Sequence, residues 1–170
     1  HYPQAPVSTS GADLRQSGRR NTVSGDGNSG ESPKHYVTDL LEKKAEAVVW
    51  NGPHASVFDE LTLMNEKTDG AVCVQIEDYL VGILSERDYM RKVILDIHAS
   101  KQTKVSEVMT TDVVTVTPED TVRHCIALTK KHHIRHLPVV KDGKTLGMIS
   151  LRDLFLDAIE EQLGVVAEDE

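Results

Sequence analysis

Apolar positions along the chain fall into short runs of two different periods, and the order of those periods recurs. β-Branched and aliphatic residues crowd into 47–50, 71–75, 80–84, 113–117, 137–141 and 145–149. Runs this short and this rich in Val and Ile predict strands. Elsewhere the apolar spacing is helical. Val57, Leu61 and Met64 share one face, as do Val122, Cys125, Ile126 and Thr129. Tyr89, Met90, Val93, Ile94 and Ile97 make a further stripe, matched near the C-terminus by Leu154, Phe155, Ala158, Ile159 and Gln162. Short helices are predicted over 37–41 and 105–109. Asp142-Gly143, between two predicted strands, predicts a tight hairpin because both residues tolerate positive φ.

The recurrence is an internal repeat. Shifting the chain on itself by 65 positions brings Pro53 onto Pro118, Val57 onto Val122, Leu63 onto Leu128, Val74 onto Val139 and Gly82 onto Gly147. Ser85, Arg87 and Asp88 fall on Ser150, Arg152 and Asp153, and no gap is needed from about residue 50 to about residue 96. Each copy therefore reads strand, helix, strand, strand, helix, an α/β (α+β) unit. Each is too small to bury much core alone. Two copies packed sheet to sheet would share a core, so one pseudo-two-fold body is expected. The boundaries are an N-terminal arm over 1–33, a first unit over 34–100, a second over 101–164 and an acidic tail over 165–170.

The arm is rich in Ser and Gly and lacks apolar periodicity. Such a stretch is expected to be disordered unless a partner holds it. The chain starts at His1, as a processed protein or a fragment would. Aromatic residues are only 4%, so the core must be aliphatic, and a formal charge of −8 argues against a general nucleic-acid binder. No run of 18 apolar residues marks a membrane span. Cys73 and Cys125 lie in apolar segments and read as buried, reduced thiols. His124, His132, His133 and His136 cluster in sequence. Adjacent histidines at a helix end point apart, however, so no metal site is predicted. No catalytic arrangement is discernible around Cys125.

The tandem duplication, the order of elements and the Gly-x-x-Ser-x-x-Asp signature at Gly147, Ser150 and Asp153 together resemble the cystathionine-β-synthase-type (CBS) domain pair, or Bateman module. Val105-Ser106-Glu107-Val108-Met109-Thr110 is similar to the family's opening motif, Val116-Thr117-Pro118-Glu119 to the end of its first strand, and Ile134-Arg135-His136-Leu137-Pro138-Val139-Val140 to its second. The resemblance covers about residues 34–163. The first copy departs from it: Trp50-Asn51-Gly52-Pro53 replaces the Thr-Pro corner, and Gly70-Ala71 stands where a basic pair is expected. Ser85-Glu86-Arg87-Asp88-Tyr89-Met90-Arg91-Lys92 also resembles stand-alone CBS pairs of plant mitochondria, which implies a mitochondrial location.

The resemblance implies a non-catalytic regulatory module that binds an adenosine-containing ligand between its units. The candidates are AMP, ADP, ATP and S-adenosylmethionine, with no required cofactor. Carried over residue by residue, the stronger site has Asp153 and Ser150 at the ribose, Arg135 and His136 at phosphate, and Leu137 with Val139 lining the adenine pocket. Thr115 and Thr117 are additional contacts. The chemistry is apt, since a carboxylate accepts from two adjacent hydroxyls and a guanidinium forks onto phosphate. The weaker site holds Asp88 and Ser85 with Val72 and Val74, and lacks a phosphate clamp. Ser-x-x-Asp at a helix start is equally a capping arrangement, so a structural role stands beside the binding one. The alternative function is an adaptor subunit of a larger complex with a vestigial site. Protein partners are expected either way. The family's flat dimers imply that Tyr89, Val93, Phe155 and Ile159 include interface residues.

Overall fold

The computed structural model describes residues 35–44, 47–67, 70–94 and 101–163. The expected arm over 1–33, the tail over 165–170, Ile97 and the side chains of Val93 and Ile94 lie outside the described residues. The elements run α1 (Val37–Lys44), β1 (Trp50–Asn51), α2 (Val57–Lys67), β2 (Ala71–Ile76), β3 (Tyr79–Ser85) and α3 (Glu86–Asp88), the last continuing as a π-helical turn (Tyr89–Ile94). Then come α4 (Val105–Val108), α5 (Val122–His132), β4 (His136–Lys141), β5 (Lys144–Ser150) and α6 (Leu151–Leu163). The first copy's last stripe was expected to be one α-helix, but it opens into the π turn after three residues.

The two hairpins are superimposable in register. Ala71 pairs with Ser85 and His136 with Ser150, and both ladders shift at the same place, between Val74 and Gln75 and between Val139 and Val140. Their turns match too: Glu77 and Asp142 both take φ of 54°. The second turn has the Asp-Gly the sequence advertises. The first makes the same bend with Glu77-Asp78, a weaker signal.

The first strands differ. In copy one, β1 runs parallel to β2, and Cys73 N–H donates to the Val49 carbonyl at 3.1 Å. The residue equivalent to Cys73 in copy two is Pro138, which has no N–H to donate. The strand expected over 113–117 is accordingly reduced on this edge to a bridge between Val116 and Val139. It is held by Val116 N–H to Pro138 O (3.0 Å) and Val140 N–H to Val116 O (2.8 Å).

The five strands form one sheet in the order β1-β2-β3-β5-β4. Its two halves meet at the pair Tyr79 and Lys144. Leu80 N–H donates to Gly143 O (3.2 Å) and Thr145 N–H to Asp78 O (2.9 Å). These two bonds exchange under the 65-residue shift, so the pseudo-two-fold axis passes between them. Strand alternation then assigns the faces. Val72 and Val74 face the first unit's helices, whereas Ala71 and Cys73 join Leu80, Val113, Val140 and Met148 in a core common to both units. Leu137, Val139 and Ile149 pack with Cys125, Leu128 and Leu154 on the second unit's helical side. Both cysteines are buried, and neither is in a disulfide.

Each lead-in helix crosses to the other unit. Val37 and Thr38 N–H donate to Asp120 O (2.9 Å) and Pro118 O (3.1 Å), while Val105 and Ser106 N–H donate to Ala55 O (2.8 Å) and Pro53 O (3.0 Å). The acceptors are again related by the 65-residue shift. Val37 and Leu40 of α1 are buried in the second unit's core, and Val105 and Val108 of α4 in the first's. Burying apolar residues of each segment in the opposite unit ties the halves into one body.

Candidate functional site

The site begins with the start of the last helix in each copy. Ser85 caps α3: its hydroxyl accepts from Asp88 N–H at 3.1 Å, and the Asp88 carboxylate accepts in return from Ser85 N–H at 3.2 Å. Copy two repeats this, with Asp153 N–H to Ser150 Oγ at 3.1 Å and Ser150 N–H to Asp153 Oδ2 at 2.9 Å. The capping role is thus present at both, and each aspartate is fixed in orientation by it.

What differs is what else each carboxylate meets. Asp88 is engaged on both oxygens. Oδ2 also takes the Ser85 hydroxyl at 3.1 Å, and Oδ1 takes the Thr110 hydroxyl at 3.2 Å with Lys92 Nζ 3.7 Å away. Asp153 places Oδ2 against Lys44 Nζ, at 3.0 Å, while Oδ1 accepts no hydrogen bond among the described residues. Lys44, the last residue of α1, also donates to Met148 O at 3.0 Å. It lies on the wall of a cleft of about 60 Å³ between the units, together with Leu41, Val48, Val49, Leu146 and Met148.

The predicted phosphate contacts lie at the mouth of β4. Arg135 is exposed, and its carbonyl accepts from Leu151 N–H at 2.8 Å, tying the strand start to α6. His136 is half-buried beside Gly70. A Cβ at position 70 would stand 3.1 Å from its imidazole Cε1. A side chain at position 70 would therefore crowd the histidine that the second copy brings beside it. Burial holds the His136 pKa below its ordinary value, Lys44 adds to the lowering, and Glu86 and Asp153 oppose it. The ring is neutral at physiological pH and acts as a hydrogen-bonding group.

Leu137, Val139, Val72 and Val74 are fully buried in the two helical-side cores, so their side chains do not line the cleft. Thr115 is buried, and Thr117 N–H donates to Asp120 Oδ2 at 2.8 Å. The structure thus brings Asp153, Ser150 and His136 together and puts Val48, Val49, Leu146 and Met148 on the apolar wall. Lys44 escaped the sequence reading because it precedes the repeat and reaches copy two only through the crossing of α1.

The histidine cluster does not converge. Among the described residues, the donors that come together in a group of three are His35, Asp157 and Glu161. His35 Nδ1 lies 3.2 Å from Asp157, but Lys43 Nζ already sits 3.2 Å from the same carboxylate. That carboxylate and Glu160 raise the Lys43 pKa, and the group reads as a charged clasp docking α1 on α6. Cys125, pushed up to about 12 by burial, is no nucleophile.

Two interlocked α/β units with a cleft at their junction, and a capped aspartate at the start of each last helix, define a tandem-repeat module. The family model for the CBS domain matches residues 105–158. A mitochondrial CBS domain-containing protein of Arabidopsis thaliana is 34% identical over 134 residues, covering 74% of this chain, and the chain spans 65% of that protein's length. The solved structure of a protein with CBS domains from Burkholderia ambifaria is 38% identical, covers 75% of this chain and 96% of its own, and superimposes with a TM-score of 0.71. A CBS domain protein of Pyrobaculum aerophilum, solved in complex with AMP, shares the fold at 24% identity, with a TM-score of 0.66 over 77% of this chain and 99% of its own. The chain belongs to the CBS-domain family.

Proposed function

We propose that this CBS pair is a regulatory module that binds one adenine nucleotide at the second copy's site and conveys its presence to a protein partner. The observation that carries this is the asymmetry of the two aspartates. Asp88 has both oxygens engaged, whereas Asp153, beside the cleft-lining Lys44, keeps Oδ1 for a ribose hydroxyl. In this reading Ser150 fixes Asp153, Arg135 meets phosphate and His136 donates beside it. The AMP complex of the Pyrobaculum relative supports the ligand class, and the plant relative's name supports a mitochondrial location. Leu151, Phe155 and Leu156 of α6 are exposed, an apolar face suited to a second copy or a larger partner. Among the described residues no helix is long and apolar enough to cross a membrane.

Thermal unfolding against AMP, ADP, ATP and S-adenosylmethionine tests the reading. A ligand at a hundred times its Kd stabilises the native state by about 2.7 kcal/mol, roughly 5–10 °C for a chain this size. Asp153→Ala lowers the baseline by removing a cap, so the readout is the ligand-induced shift. That shift should vanish in the variant. No shift with any ligand would turn the reading towards an adaptor.

A further inference from the structure

We infer that Lys44 determines which adenosine compound the site accepts, by transferring its ammonium from Asp153 to a ligand phosphate. The inference rests on the proposed nucleotide site and narrows its ligand class. The cleft is about 60 Å³, well below the roughly 300 Å³ at which small-molecule pockets begin. A nucleotide therefore needs this wall to move, and Lys44 stands on it. Its ammonium holds the Asp153 oxygen that a second ribose hydroxyl would use, at 3.0 Å, and is anchored by Met148 O at 3.0 Å. The side chain is only 24% exposed, so water replaces a lost carboxylate poorly.

The consequence depends on ligand charge. A neutral nucleoside takes the carboxylate and leaves a half-buried ammonium without a counter-ion, which costs free energy. A nucleotide takes the same carboxylate and supplies a phosphate in exchange. The four-carbon stem of lysine gives the reach for that transfer. The charges around His136 are Lys44 and Arg135 against Glu86 and Asp153. Removing Lys44 tips this balance negative, against phosphate and in favour of a cationic sulfonium. Lys44 thus sets an order of AMP before adenosine and before S-adenosylmethionine.

Calorimetric titration of the full chain with AMP, adenosine and S-adenosylmethionine, for wild type, Lys44→Met and Lys44→Arg, tests this. Methionine keeps the apolar stem, and the arginine variant restores the charge if methionine disturbs α1. Wild type should bind AMP at least tenfold more tightly than adenosine. Lys44→Met should weaken AMP about tenfold, tighten adenosine and S-adenosylmethionine, and so collapse the ratio, while Lys44→Arg keeps it. An unchanged ratio in Lys44→Met, or equal tightening of all three ligands, overturns the inference, leaving Lys44 a structural residue or a simple plug, with the nucleotide site intact. Absence of binding by all three proteins overturns the site and this role together.

Discussion

Glu60 offers a direct measure of how far the copies have diverged. It lies on the buried face of α2 with Val57 and Met64, is 0% exposed, and neither carboxylate oxygen has a hydrogen-bond partner among the described residues. The 65-residue shift places it on Cys125, a core residue of the second unit. Desolvation, with a smaller contribution from Asp59, raises its pKa from 4.5 to about 7. Below pH 4.5 the folded and unfolded chains both carry the proton and the effect vanishes. Between 4.5 and 7 the unfolded chain has released a proton that the folded chain keeps, so rising pH favours unfolding. Above 7 both are ionised and the penalty levels off at about 3 kcal/mol. From pH 5 to pH 8.5 this residue alone should remove about 2.5 kcal/mol of stability.

Glu60→Gln retains the shape and removes the titration. Its amide is as short of partners as the protonated acid, so near pH 5 the variant should match wild type within about 1 kcal/mol. At pH 8.5 it should be more stable by about 2–3 kcal/mol. Urea denaturation of both proteins across this range measures the difference, and other titrating groups cancel in the comparison. Parallel stability curves for the two proteins would refute the argument, showing that Glu60 finds solvent or a partner in solution.

The glycines beneath the crossing helices should differ in cost. A Cβ at Gly82 would lie 2.6 Å from Met109 Sδ and 3.0 Å from the Thr110 carbonyl, whereas at Gly147 the one close atom is Leu41 Cδ2, at 2.5 Å, the tip of a flexible side chain. Gly82→Ala should therefore lose about 2 kcal/mol in a denaturant titration and Gly147→Ala less than about 1. A larger loss at Gly147 would contradict this. Asp157→Ala removes the buried acceptor of Lys43 and His35 and should cost about 1–3 kcal/mol. Amide exchange should quicken over Val37–Lys44 and leave β2 and β3 unchanged; unaltered exchange in α1 would count against the clasp.

The repeat and the alternation of short strands with helical stripes were legible in the linear chain, because periodicity and a constant offset are properties of the chain itself. They were enough to set the order of elements, the pseudo-symmetric pairing and the capped aspartates at Asp88 and Asp153. Tertiary structure decided three things. Pro138 reduced an expected strand to a bridge, since the missing N–H matters only once its partner strand is known. Glu60 took a core position that its charge had disguised, because burial depends on which face of α2 the sheet covers. Above all, α1 crossed to the second unit and set Lys44 on Asp153, more than a hundred residues away in sequence. Local pattern carries no signal for such a contact, which exists only through the exchange of lead-in helices between the copies.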